Sequence, residues 1–170
     1  MIEMIREAIE HELDQIEEIV DEAKQVMAQA GLTQWGETYP LREHYEKDLH
    51  NGELYVCEQD DQVIGVACIS NKGHEEYHEI AWSEADAFLC LKRVAVSPQA
   101  RQKGVGLAFY EYAEQLAAQH DIPYIRTDTN GENEAALKLF EKGNYTLVDR
   151  QYHGQFPQPF YYYEKKVHSS

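Results

Sequence analysis

The run Val94-Ala95-Val96-Ser97-Pro98-Gln99-Ala100-Arg101-Gln102-Lys103-Gly104-Val105-Gly106 contains what a phosphate site requires. A Val-x-Val strand stops at Ser97-Pro98, a glycine-bearing turn follows, and apolar residues then recur at helical spacing from Val105. Such a turn aims several backbone N–H groups at one spot, where the positive end of the helix dipole adds to them. Glycines at 104 and 106 permit close approach of the main chain and dihedrals that side chains forbid. Arg101 and Lys103 bring positive charge to a chain that is otherwise acidic. Two glycines alone fit equally well a tight strand-to-helix turn with solvated basic residues. Two nucleotide patterns are excluded: there is no Gly-x-x-x-x-Gly-Lys-Ser/Thr, and Gly-x-Gly-x-x-Gly fails because position 109 is Phe.

Groups able to move a proton gather just before that strand: His78, Glu79, Glu84 and Asp86. Each also reads as a solvated loop residue. Trp35, Tyr39 and Trp82 either line an acceptor pocket or pack beneath a loop. The eight histidines have no metal-ligand spacing, and no metal is expected. Cys57, Cys68 and Cys90 sit inside apolar runs, are odd in number and match no zinc pattern. They read as small buried hydrophobes in a reducing compartment.

The elements that must hold these groups follow from periodicity. Met1 to Arg6 predicts a first strand. Leu13, Ile16, Val20, Ala23, Met27 and Ala30 predict an amphipathic helix closed by Gly31. A short helix is expected over 41–49, then a hairpin of strands 54–58 and 63–69. The polar stretch 71–86 reads as a loop with a short edge strand, and 87–96 as a continuous apolar strand. Val105, Phe109, Tyr112, Ala113 and Leu116 mark a second helix, 124–127 a strand, and 133–142 a third helix buried through Ala136, Leu139 and Phe140. Strands over 145–148 and 160–167 close the chain. Alternating strands and helices predict an α/β domain with some parallel pairing.

A chain of 170 residues, 43% hydrophobic and 27% charged, fits one domain, 1–170. Its net charge of −16 excludes nucleic acid and anionic membranes as partners and suits a cationic amine. No apolar run approaches the roughly 20 residues of a membrane span. Met1-Ile2-Glu3-Met4-Ile5-Arg6 lacks a signal peptide's basic start and apolar stretch, so the cytoplasm is the expected compartment.

Arg101-x-x-Gly104-x-Gly106, following a Val-x-Val strand with Ser-Pro, resembles the acyl-CoA signature of the GNAT N-acetyltransferase superfamily. At the right distance, Asn133-x-x-Ala136-x-x-Leu139-Phe140-Glu-Lys-Gly-Asn-Tyr145 resembles that family's Asn-x-x-Ala-x-x-Leu-Tyr-x-x-x-Gly-Phe helix. The order of elements agrees along the whole chain. Trp35-x-x-x-Tyr39-Pro40, Tyr77-x-x-Ile80-x-Trp82 and Arg126-Thr-Asp-Thr129 are similar to a bacterial subgroup with mostly unassigned substrates.

The resemblance implies a central mixed β-sheet flanked by helices and acetyl-CoA as the acyl donor. The pantetheine arm would lie between splayed strands, on backbone groups of Val94, Ala95 and Val96. A backbone N–H near Val94 would polarise the thioester carbonyl, a contribution typically worth about 3 kcal/mol. The N–H groups of Gln102, Lys103, Gly104, Val105 and Gly106 would hold the pyrophosphate, and Asn133 and Phe140 would contact the cofactor. Asn133 also reads as a plain helix cap. Many relatives carry a tyrosine where this chain has Phe140, which cannot protonate the leaving thiolate. The expected reaction is direct attack by the primary amine of a small molecule on the acetyl carbon. Acetylation of a protein lysine or N-terminus, a non-catalytic acyl-CoA-binding module and a plain structural domain are the competing readings. Dimers are frequent in the superfamily, which favours a homodimer.

Overall fold

A computed structural model of the chain describes residues 4–83, 87–100, 104–154 and 156–168. The strands are β1 (Met4–Glu7), β2 (Leu54–Gln59), β3 (Gln62–Ser70), β4 (Leu89–Val96), β5 (Tyr124–Asn130), β6 (Thr146–Gln151) and β7 (Phe160–Lys166). The helices are α1 (Leu13–Gln29), α2 (Arg42–His50), α3 (Val105–Gln119) and α4 (Glu134–Lys142). One mixed sheet has the order β1-β2-β3-β4-β5-β7-β6. β4 and β5 pair in parallel, whereas β1–β2, β2–β3, β5–β7 and β6–β7 are antiparallel. This is the mixed sheet with helices that the sequence predicts. No helix among the described residues is long and apolar enough to cross a membrane. Packing divides the chain into two units, Met1–Ile69 with Lys92–Phe109, and Ser70–Leu91 with Tyr110–Ser170.

In the first unit, the stripe Leu13, Ile16, Val20 and Ala23 of α1 is buried and joins a core with Tyr45, Val56 and Val66. The helix stops where Gly31 adopts φ 79°, and the Leu32 N–H returns to the Met27 carbonyl at 2.9 Å. Asp60 and Asp61, with φ 52° and 64°, make the two-residue turn between β2 and β3. Gly65 on β3 leaves room for the start of α3. A Cβ there would stand 3.0 Å from Val105 Cγ1, 3.1 Å from Phe109 Cε2 and 3.4 Å from the Ala95 carbonyl oxygen. Gly65→Ala is therefore expected to destabilise the protein by about 1–3 kcal/mol in urea unfolding, because this wall is already filled. An unchanged midpoint would show that valine and phenylalanine give way freely.

The second unit has a smaller core of Tyr77, Ile80, Cys90 and Tyr162, with Trp82, Phe88 and Phe160 packed against it. Here the structure departs from the sequence reading in several places. Among the described residues, 71–83 contains no strand; a 3₁₀ turn spans Glu75–Glu79, and the Tyr77 N–H bonds the His74 carbonyl at 2.9 Å. β4 begins at Leu89, and the Phe88 ring just before it lies under the Arg126 guanidinium, 4.3 Å away. β5 continues to Asn130, since every residue from Tyr124 onward pairs with β7. On α4, Phe140 is buried but Ala136 and Leu139 are only half-buried. The three cysteines are buried and unbridged.

Candidate functional site

The end of β4, the following turn and the start of α3 all lie in the first unit. Arg93 adopts φ 54°, a conformation that non-glycine residues seldom enter. Its guanidinium meets Asp48 of α2 through Nε to Oδ2 at 2.8 Å and Nη2 to Oδ1 at 2.6 Å. Nη1 donates to the Tyr39 hydroxyl at 3.1 Å. Burial opposes the charge on Arg93, but the bonds to Asp48 and Tyr39 outweigh it and hold its pKa above the usual value. Asp48, Glu53 and Cys68 place one potential metal ligand each within 4.8 Å of one another. Both Asp48 oxygens of that group are held by Arg93.

Val94, Ala95 and Val96 complete β4, and the Ser97 N–H is fixed to the Ile64 carbonyl at 2.8 Å. The Ala100 N–H closes a turn on the Ser97 carbonyl at 2.9 Å. Gly104 has φ 76°, and among the described residues, its chain neighbours aside, no heavy atom lies within 4 Å of where a side chain would start. The Ala108 N–H bonds the Gly104 carbonyl at 2.9 Å, so the amides of Val105, Gly106 and Leu107 have no acceptor within α3. A left-handed glycine with an open face, leading into a 15-residue helix, fits an approaching diphosphate. Arg101, Gln102 and Lys103 lie outside the described residues, and so do Glu84 and Asp86.

The other predicted residues divide between the units. Trp35 and Tyr39 belong to the first, where Trp35 packs half-buried on the core and Tyr39 is held by Arg93. Asn133, Phe140, Trp82, His78 and Glu79 belong to the second. Asn133 caps α4, accepting from the Ala136 N–H at 3.1 Å. The Phe140 ring, 2% exposed, sits among Tyr163, Tyr110 and Tyr145 with centroids 4.9, 5.5 and 6.2 Å away. It is a core aromatic. Two of these three phenols are engaged, Tyr110 with Thr127 at 2.7 Å and Tyr145 with Glu114 at 2.8 Å, and burial raises the pKa of both. Trp82 donates its indole N–H to the Tyr77 carbonyl at 2.9 Å and stacks under Arg126 at 5.0 Å. His78 and Glu79 are exposed on the 3₁₀ turn.

Sequence reasoning missed two contacts in the second unit. Tyr77 donates to Asp128 at 2.6 Å, and the Tyr162 hydroxyl meets both His153 and Glu76. The Tyr-x-x-Ile-x-Trp and Arg-Thr-Asp-Thr likenesses point at Tyr77 and Asp128; nothing in the sequence singles out His153.

A mixed sheet whose fourth strand runs through a glycine turn into a helix has clear counterparts among known proteins. The model of the acetyltransferase (GNAT) family matches residues 13–145, and the chain belongs to that family. A GNAT-family acetyltransferase from Streptococcus agalactiae 2603 superposes with a TM-score of 0.85 at 26% identity, over 98% of this chain and 96% of that one. A structure from Staphylococcus aureus Mu50, described as an acetyltransferase, gives 0.74 at 30% identity over 96% and 98%. The protein yncA from Salmonella typhimurium, solved with its cofactor acetyl-CoA, gives 0.67 at 16% identity over 99% and 95%, a likeness of fold alone. A search of curated protein sequences gives no match.

Proposed function

We propose that the protein is an acetyl-CoA-dependent N-acetyltransferase acting on the primary amine of a small molecule. The observation that carries this reading is the open, left-handed Gly104 at the mouth of α3. Membership of the GNAT family supports it, as does the relative solved with acetyl-CoA. Acetyl-CoA supplies an acetyl group activated as a thioester. The amides of Gly104, Val105 and Gly106, continued through Lys103, Gln102 and Arg101, bind the pyrophosphate. Backbone groups of Val94, Ala95 and Val96 hold the pantetheine arm, and the Val94 N–H polarises the thioester carbonyl. Trp35 and Tyr39 form a wall for the acceptor, with Tyr39 fixed by Arg93.

The test is incubation of the full chain with acetyl-CoA and a pool of simple primary amines (butylamine, putrescine, tyramine, glycinamide), following free thiol. Steady thiol release with at least one amine is expected. Calorimetric binding of acetyl-CoA with no turnover on any amine would leave a non-catalytic acyl-CoA module. No binding at all would sink the reading.

A further inference from the structure

Arg126 stands on β5 in the second unit and is only 8% exposed. Its guanidinium is a fork of N–H donors with no acceptor of its own. Among the described residues it makes a single hydrogen bond, from Nη2 to the Ser83 carbonyl at 3.3 Å. Nε is shut off from the surface and has no acceptor. Nη1 also meets no acceptor among the described residues, but it is not sealed in as Nε is. The carboxylate of Glu164 is spent elsewhere: it takes the Ser83 N–H at 2.9 Å and the Ser83 hydroxyl. It forms no ion pair with Arg126.

A buried cation normally comes with a carboxylate, because its lost hydration must be replaced by charge and by hydrogen bonds together. Here burial pushes the Arg126 pKa down, against the favourable charge of Glu164. Trp82 and Phe88 offset part of that cost, with ring centroids 5.0 and 4.3 Å from the guanidinium carbon. Aromatic faces, however, supply no oxygen for the N–H groups in the guanidinium plane. Both rings and Ser83 are half-buried, so the cluster opens to the surface rather than lying sealed in the core. A donor left over in such a place calls for an occupant.

We propose that Arg126, Trp82 and Phe88 form a binding site for the carboxylate of a small apolar monoacid. The free N–H groups at the Nη end meet the carboxylate oxygens in the guanidinium plane, where a planar fork matches a planar acceptor. The half-buried rings give the hydrocarbon body of the acid an apolar wall. A phosphate or a diacid brings more negative charge than one cation balances beside Glu164. An acidic peptide is opposed by the chain's net charge of −16, which repels extended anionic partners. Binding at Arg126 needs neither acetyl-CoA nor an amine, so its test is separate from that of the acetyltransferase reading.

The experiment titrates the full chain, without acetyl-CoA, with benzoate and with butyrate, read by calorimetry and by the Trp82 indole N–H resonance in ¹H–¹⁵N NMR. Saturable binding of at least one acid is expected, with a shift of that resonance. Benzyl alcohol keeps the ring and lacks the charge, and it should bind about tenfold or more weakly than benzoate. Arg126→Met should weaken benzoate by a similar factor, and Arg126→Lys, which keeps the charge without the fork, should restore only part of the affinity. No saturable binding of either acid, or equal binding in a folded Arg126→Met variant, overturns the proposal. Binding that leaves the Trp82 resonance in place also overturns it, and that result is read on wild-type protein even if the variants fail to fold. Sulfate displacing benzoate at equal concentration would mark a general anion site and overturn the carboxylate assignment.

Discussion

Gly104→Val is expected to lower acetyl-CoA affinity about tenfold or more, a loss of about 1.4 kcal/mol or greater, in a chain that stays folded. The reason lies in the backbone. Gly104 has φ 76°, and a Cβ at that position would touch none of the described residues within 4 Å, its chain neighbours aside. Valine therefore meets no clash with the described residues, but it carries a branched side chain in a conformation that costs L-residues roughly 1–2 kcal/mol. The turn relieves that cost by rotating toward negative φ. Rotation re-aims the amides of Val105 and Gly106, whose direction is what an anion reads. The branched group also occupies the open face. Calorimetry with acetyl-CoA measures the loss, and far-UV circular dichroism checks the fold. Unchanged affinity in a folded variant would remove the turn from the binding site.

Asp48→Ala is expected to have the largest effect on stability, about 3–5 kcal/mol, as typical for a buried pair that loses one partner. The side chains of Arg93 and Asp48 are 10% and 5% exposed. Both carboxylate oxygens are engaged, so removing them strands a cation that burial already disfavours. Replacing both residues, as in Asp48→Leu with Arg93→Met, should recover much of the loss, because a buried pair exchanged for apolar groups is often neutral. Urea unfolding of the single and double variants measures the difference. A single variant within about 1 kcal/mol of wild type would show that water already reaches the pair.

What the sequence conveys, and what it hides, divides along a physical line. The α1 stripe is legible because Leu13, Ile16, Val20 and Ala23 carry their periodicity within four turns, and all four are buried. The glycine turn is legible because strand stop, glycines and helix start are contiguous. The hairpin of β2 and β3 is legible because its turn is two adjacent aspartates. The Arg93–Asp48 pair is not, since its members are 45 positions apart and a basic residue in a strand looks solvated. Nor is the Glu76–Tyr162 bond, which spans 86 positions. His153 lies in a turn-rich stretch and gains meaning only when β7 places Tyr162 beside it. The polar stretch 71–83 reads as a loop with a short edge strand; among the described residues it has no strand and instead holds a 3₁₀ turn over Glu75–Glu79 with the Tyr77 ring buried. Residue types are local, but the contacts that tune a proton or a charge are not.

The two packing units alternate along the chain, which passes from one to the other at the end of β3, within β4 and again within α3. Neither unit is therefore an uninterrupted stretch of polypeptide. A single proteolytic nick cannot release either one intact, and no one-piece gene fragment encodes either half. Expressing either half by itself needs its two segments supplied together, as co-expressed fragments or rejoined by a linker.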